Sequence, residues 1–282
     1  MTASAPAEKA TPPPTFRPPS DFPFYLGLGL LSASYLAVIV AMLLADATFT
    51  TPGHLLEALR SADIRYAIKL SLLSCTITTI MSLWVAVPIG YLLSRHQFRG
   101  KALLDAILDI PIVLPPLVIG LSLLILFQTP AGRYFQQHVV QVAYEIPSVI
   151  AAQFMVACAF AVRTMRVAFD QINPRQEQVA LTLGCNRGQA FWLVIFPEAR
   201  TGLLAAATLA WARALGEFGP ILIFSGATRR KTEVLSTSVF LELSIGNIEA
   251  AVAVSLLMVL VAVAVLVIVR VSGVHLGKVY HL

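Results

Sequence analysis

The sequence predicts an all-α membrane protein: six transmembrane helices with one long basic loop between the fourth and the fifth. Three observations predict this class. Hydrophobic residues make up 57% of the 282 and charged residues 12%, about half the charge of a soluble domain. Six mostly uncharged runs are each long enough to cross a bilayer, and a helix is the form in which such a run satisfies its own backbone in lipid. The Lys and Arg residues are concentrated between those runs, so the net charge of +5 reads as a membrane-orientation signal rather than a nucleic-acid surface. The same composition excludes disorder, which needs low hydrophobicity and high net charge. It also excludes a disulfide scaffold, because the three cysteines are scattered.

The elements follow in order. Residues 1–23 are rich in Pro, Ala and Thr and are expected to form an extended cytoplasmic tail, leaving 24–282 as one membrane domain. Phe24–Leu44 is 21 uncharged residues, enough for roughly 30 Å of helix. Ala45-Asp46-Ala47 resembles a signal cleavage site, but a signal core is only about 7–15 residues, so the run is taken as the first span. Leu70–Leu93 is the second; its many Ser and Thr residues suit a helix buried among helices. Ala106–Phe127 is the third, with Pro111, Pro115 and Pro116 expected to kink it. Tyr144–Val162 is the fourth, its start marked by Glu145 and Pro147; Leu203–Gly226 and Ala250–Val269 are the fifth and sixth.

Six spans place both termini on one side. With the termini inside, 12 Lys/Arg fall on the inner face and 7 on the outer, so both termini are expected in the cytoplasm. The outer set includes Arg229-Arg230-Lys231, read either as a contact for an acidic partner or oxyanion, or as a solvated charge run.

The inner loop from Arg163 to Gly202 is too long to be a simple connection. Asn173-Pro174 marks a helix start, and a short helix over Arg175–Leu183 carries Val179, Ala180 and Leu183, read as one side. Gly184 is placed to end it in the left-handed conformation. Asn186 can cap a second helix, Arg187–Phe196, with Phe191, Trp192 and Ile195 as its apolar face and Pro197 as its breaker. The product is a two-helix hook, suited to a groove on another protein or to the membrane surface.

This loop resembles the EAA loop of ABC-importer permeases: EAA, three residues, Gly, nine residues, Ile-x-Leu-Pro. In register stand Gln178-Val179-Ala180, Gly184 and Val194-Ile195-Phe196-Pro197, with Glu177 beside the substituted first position. DIPIVLPPLVIGL (Asp109–Leu121) and WARALGEFGPILIFSG (Trp211–Gly226) resemble the third and fifth spans of molybdate and sulfate permeases. The resemblance covers roughly Ala67–Val269. It implies a type I ABC importer permease fold and a membrane-spanning subunit moving a tetrahedral oxyanion, molybdate or tungstate first and sulfate second. It also implies cytoplasmic ATPase subunits, an extracytoplasmic substrate-binding protein and a second permease subunit, identical or different. Glu177, Gln178, Val179, Ala180, Gly184 and Pro197 would couple to the ATPase.

Arg213 and Glu217 lie four apart, roughly 15–20 Å into the fifth span if it begins near Leu203. They form an internal pair locking helices, or, with Pro115 and Pro116, part of the translocation path or its gate. Gly216 and Gly219 are expected to permit close helix approach. No cofactor or metal site is expected: the His residues are dispersed, and Gly273–Val279 is one residue short of a phosphate-binding loop and lacks its Ser/Thr. The ATP hydrolysis that the resemblance implies is therefore expected on a partner chain. The competing classes are a secondary transporter, which needs no hook, and a membrane scaffold, which needs no buried charge pair.

Overall fold

Local sequence determines where these helices break. The computed structural model describes residues 21–278, with side chains throughout except at 52, 270 and 272–278. The proline-rich tail expected over 1–23 therefore falls outside the described residues up to position 20. The chain forms two compact units, Met1–Thr48 and Phe49–Leu282. The first contributes α1 (Phe22–Phe49), a 28-residue helix with no charged residue before Asp46.

The second unit contains α2 (Pro52–Arg60), α3 (Ala62–Arg95), α4 (Lys101–Val113), α5 (Pro116–Gln128), α6 (Pro130–His138) and α7 (Ile146–Gln171). It continues with α8 (Pro174–Thr182), α9 (Arg187–Ala190), a π turn over Phe191–Ile195, and α10 (Phe196–Glu198). It ends with α11 (Arg200–Leu215), α12 (Gly219–Phe224), α13 (Leu235–Ser244) and α14 (Ile248–Lys278). No strand occurs among the described residues. Four helices are long and apolar enough to cross a membrane alone: α1, α3, α7 and α14. Two bent pairs raise the number to six: α4 with α5, turning by 109°, and Arg187–Glu198 with α11, turning by 69°.

The third span is thus broken, not kinked as expected. A residue before proline is pushed out of the α region. Consecutive prolines do this twice, so Leu114 (ψ 140°) and Pro115 (ψ 133°) are both extended, and Pro116 opens α5 where its missing N–H costs nothing. Pro111, by contrast, is accommodated within α4. The fifth span breaks for a related reason. Gly216 caps α11, and Pro220 fits only the first turn of a new helix, α12.

The core is centred on α3, packed against α7 and α11. Ser71, Ser74, Thr78, Thr79 and Ser82 of α3 are buried, as the Ser/Thr content of the second run predicts. They meet a polar seam: Thr78 donates to Gln153 Oε1 (3.2 Å), and Gln153 Nε2 donates to the Ala214 carbonyl (3.1 Å). The same carbonyl also accepts from the Glu217 N–H (3.3 Å), so the amide adds a second bond to the last turn of α11. Through its middle turns α4 is tied to α7 by Arg166–Asp105 (2.7 Å) and Arg163–Asp109 (3.6 Å).

Gly120 lets α5 reach α12. A Cβ there would stand 2.8 Å from Pro220 Cα and carbonyl oxygen, which are backbone and cannot swing away. We expect Gly120→Val to destabilise the protein by about 1–3 kcal/mol, the usual cost of overpacking, read as a lower thermal unfolding midpoint in detergent.

Candidate functional site

Two places concentrate unusual chemistry: the hook after α7 and the junction of the two broken spans.

The inner loop, expected from Arg163, begins later because α7 continues to Gln171, more than two turns past Val162; the first hook helix, expected over Arg175–Leu183, lies at Pro174–Thr182. Asn173 caps α8, its Oδ1 accepting from the Arg175 N–H at 3.0 Å. Gly184 ends α8 with φ +91°, and the Cys185 N–H bonds back to the Ala180 carbonyl (3.1 Å). Asn186 and Gln189 form a reciprocal capping box at 2.8 and 2.9 Å. These local signals act as the sequence predicts.

Two expectations are corrected. Val179, Ala180 and Leu183 do not share a side. Ala180 and Glu177, three apart, face inward and are buried; Val179 and Leu183, four apart, face outward and are 55% and 80% exposed. Nor does Pro197 end the second helix. The chain widens into the π turn over Phe191–Ile195, which absorbs the hydrogen bond the proline cannot make, and helix continues through Glu198 before bending into α11. Ile195 is buried, Phe191 half-buried and Trp192 exposed.

Glu177 is held from within. Its carboxylate accepts from the Tyr91 hydroxyl (2.7 Å) and pairs with Arg95 Nε (3.5 Å). Gln178 on the next position is exposed.

At the broken spans, Arg213 and Glu217 meet across the end of α11. Arg213 occupies its last turn, where a cation complements the helix dipole; Glu217 lies in the break. The guanidinium donates to Glu217 Oε1 at 2.5 Å and sits 5.0 Å from the centre of the Phe160 ring. Glu217 is 2% exposed, and its carbonyl accepts from Ser236 Oγ (2.7 Å). Both residues line a cavity of about 320 Å³ with Pro116, Leu117, Gly216 and Gly219. Pro115 stands at the adjoining break. Gly219 makes the close approach expected of it, against Pro116 and the Leu117 backbone; Gly216 touches only carbonyls of its own turn. Tyr91, Arg95, Gln153 and Phe160 were not singled out in the sequence. Gln153 could have been, as a lone amide inside an apolar run.

The basic triplet is exposed, but each of its charges is paired. Arg229 bonds Asp63 (3.3 Å) and Glu242 (2.8 Å), Arg230 bonds Asp63 (2.5 Å), and Lys231 pairs with Glu145. The triplet thereby ties the loop after α12 to the starts of α3 and α7. Nearby Glu233 is fully buried, and burial pushes its carboxyl above the ordinary range, opposed by a hydrogen bond from Ser238. Because the Arg230 side chain is 64% exposed, we expect Arg230→Ala to change stability by less than about 1 kcal/mol. Arg229→Ala, which frees the largely buried Glu242, should lower the thermal midpoint further.

The profile of a family described as "Binding-protein-dependent transport system inner membrane component" matches residues 86–277. The sulfate transport system permease protein CysT of Escherichia coli (strain K12) is 32% identical over 200 residues, covering 70% of this chain and 72% of that protein. The molybdate/tungstate transport system permease protein WtpB of Pyrococcus abyssi is 33% identical over 207 residues, covering 72% and 78%. A chain of a bacterial alginate ABC transporter crystallised with its periplasmic protein shares the fold. Its TM-score is 0.68 at 16% identity, over 88% of this chain and 93% of that one.

Proposed function

The chain belongs to the family of binding-protein-dependent transport system inner membrane components, and we propose that it is the membrane-spanning subunit of an ATP-driven importer for a tetrahedral oxyanion. Molybdate or tungstate is the first choice and sulfate the second; relatives named for each are 33% and 32% identical to this chain over the 207 and 200 residues that align. The observation that carries this proposal is the cavity where the break between α4 and α5 meets the break between α11 and α12, with an arginine in its wall. Irregular backbone at membrane depth is tolerated where it lines a cavity, and transport sites use it.

In this reading Arg213 attracts the passing anion, and Glu217 offsets its charge so that the anion is not trapped. Pro115 and Pro116 hold the opposite wall. The hook, within about 163–202, docks its outward face, Gln178, Val179 and Leu183, on a cytoplasmic ATPase subunit; Glu177, Ala180, Gly184 and Pro197 shape it. ATP-driven closure draws the hooks of two permease subunits together and opens the path toward an extracytoplasmic binding protein. The tail over 1–23 and both termini lie in the cytoplasm, and 24–282 is the permease domain.

The test is reconstitution with the partner subunits in proteoliposomes. ATP on the hook side should drive labelled molybdate or sulfate uptake, whereas an imposed proton or sodium gradient without ATP should not. Gradient-driven uptake would favour a secondary transporter.

A further inference from the structure

Tyr91 occupies a singular position near the end of α3. Its hydroxyl donates to Glu177 of α8 at 2.7 Å. Its ring packs edge-on against Phe169 of α7 (centroids 5.7 Å) and Phe191 of the π turn (4.9 Å). One side chain therefore touches the helix entering the hook, the first hook helix and the turn leaving it. One helical turn on, Arg95 pairs with the same carboxylate and donates to the Ile172 carbonyl at 3.0 Å, where α7 gives way to the hook. Both Arg95 and Glu177 are nearly excluded from solvent, at 9% and 11% side-chain exposure. A pair so enclosed is stiff and costly to break on one side.

The α3 segment that carries these residues is also set apart. Pro88 lies within α3 and removes one helical hydrogen bond just before Tyr91. Gly90 brings the same segment against the backbone of Met165 and Arg166, where a Cβ would approach to 2.9 Å. The end of α3 is thus fastened to α7 on one side and to the hook on the other, beyond a proline hinge point.

Resting on the permease assignment above, we propose that Tyr91 and Arg95 are positioning residues that pin the hook to α3 through Glu177, and that Glu177 acts inside this chain rather than as a contact to the ATPase. The outward residues receive the ATPase's motion. The Tyr91–Glu177–Arg95 pin passes it to α3, whose buried Ser/Thr face packs on the helices around the Arg213 cavity. A loosened pin lets the ATPase cycle without moving the spans.

The experiment uses the whole reconstituted complex and reads three quantities: ATPase subunit retained on purification, ATP hydrolysed, and labelled molybdate or sulfate imported. Tyr91→Phe keeps the ring and removes only the hydroxyl; Glu177→Gln removes the charge. Each should lower the ratio of anion imported to ATP hydrolysed by roughly tenfold, the size of a lost hydrogen bond to a charged group, with ATPase retention unchanged. The double variant should be no worse than either single, because both remove one interaction. A merely structural defect would lower complex yield and leave the ratio alone. An unchanged ratio in Tyr91→Phe overturns the proposal, as does loss of the ATPase from Glu177→Gln but not from Tyr91→Phe. If the unaltered complex imports neither anion with ATP, the permease assignment itself fails and the pin falls with it.

Discussion

Glu217→Leu should abolish uptake, by about 100-fold or more, while the protein still accumulates in the membrane. The carboxylate is 2% exposed and bound to Arg213 at 2.5 Å. Removing one partner of a buried pair costs about 3–5 kcal/mol, because the other charge is left uncompensated. Arg213 keeps about a third of its side chain exposed (36%), which places the cost at the lower end. That cost falls on the wall of the cavity, not on the α3–α7 core that holds the fold. The unpaired arginine would also hold an anion too strongly to release it. The variant lacking both charges, Arg213→Leu with Glu217→Leu, separates the two roles. If the pair serves only to lock helices, the double variant recovers transport; if it lines the path, thermal stability recovers and uptake does not.

Replacing the outward face of the hook should be as severe. Leu183→Asp together with Val179→Asp is expected to strip the ATPase subunit during purification and to reduce uptake to background. These side chains are 80% and 55% exposed, so their loss removes no packing from this chain. Fully burying a Leu or Val side chain is worth about 1.5–3 kcal/mol, and a buried unpaired carboxylate adds to the penalty. Co-purification measures this directly, with the circular dichroism of the variant as the control for its fold. Full ATPase retention would mean that the hook lies on the membrane surface instead.

The sequence and the structure agree where the signal is local. Asn173, Gly184 and Asn186 act within one or two turns of themselves, so their roles are legible from neighbours alone. The breaks at Leu114–Pro115 and Gly216–Phe218 are half legible. Proline and glycine mark the places, but a turn of 109° also needs α5 and α12 to pack through Gly120 and Gly219, which lie on separate spans. The inward turn of Glu177 was hidden because its partners, Tyr91 and Arg95, lie more than eighty residues away, and helix phase is set by that packing. The same holds for the basic triplet, whose partners Asp63, Glu145 and Glu242 come from three different elements. The Arg213–Glu217 contact needed only its spacing of four. Its place in a cavity wall needed Pro116 from another span.

The most direct measurement is uptake of labelled molybdate and labelled sulfate by cells with and without this chain, the native partners being present and each anion competed by the other and by tungstate. The account predicts that removing the chain abolishes molybdate uptake that tungstate competes, or failing that sulfate uptake. Unchanged uptake of both labelled anions would contradict it.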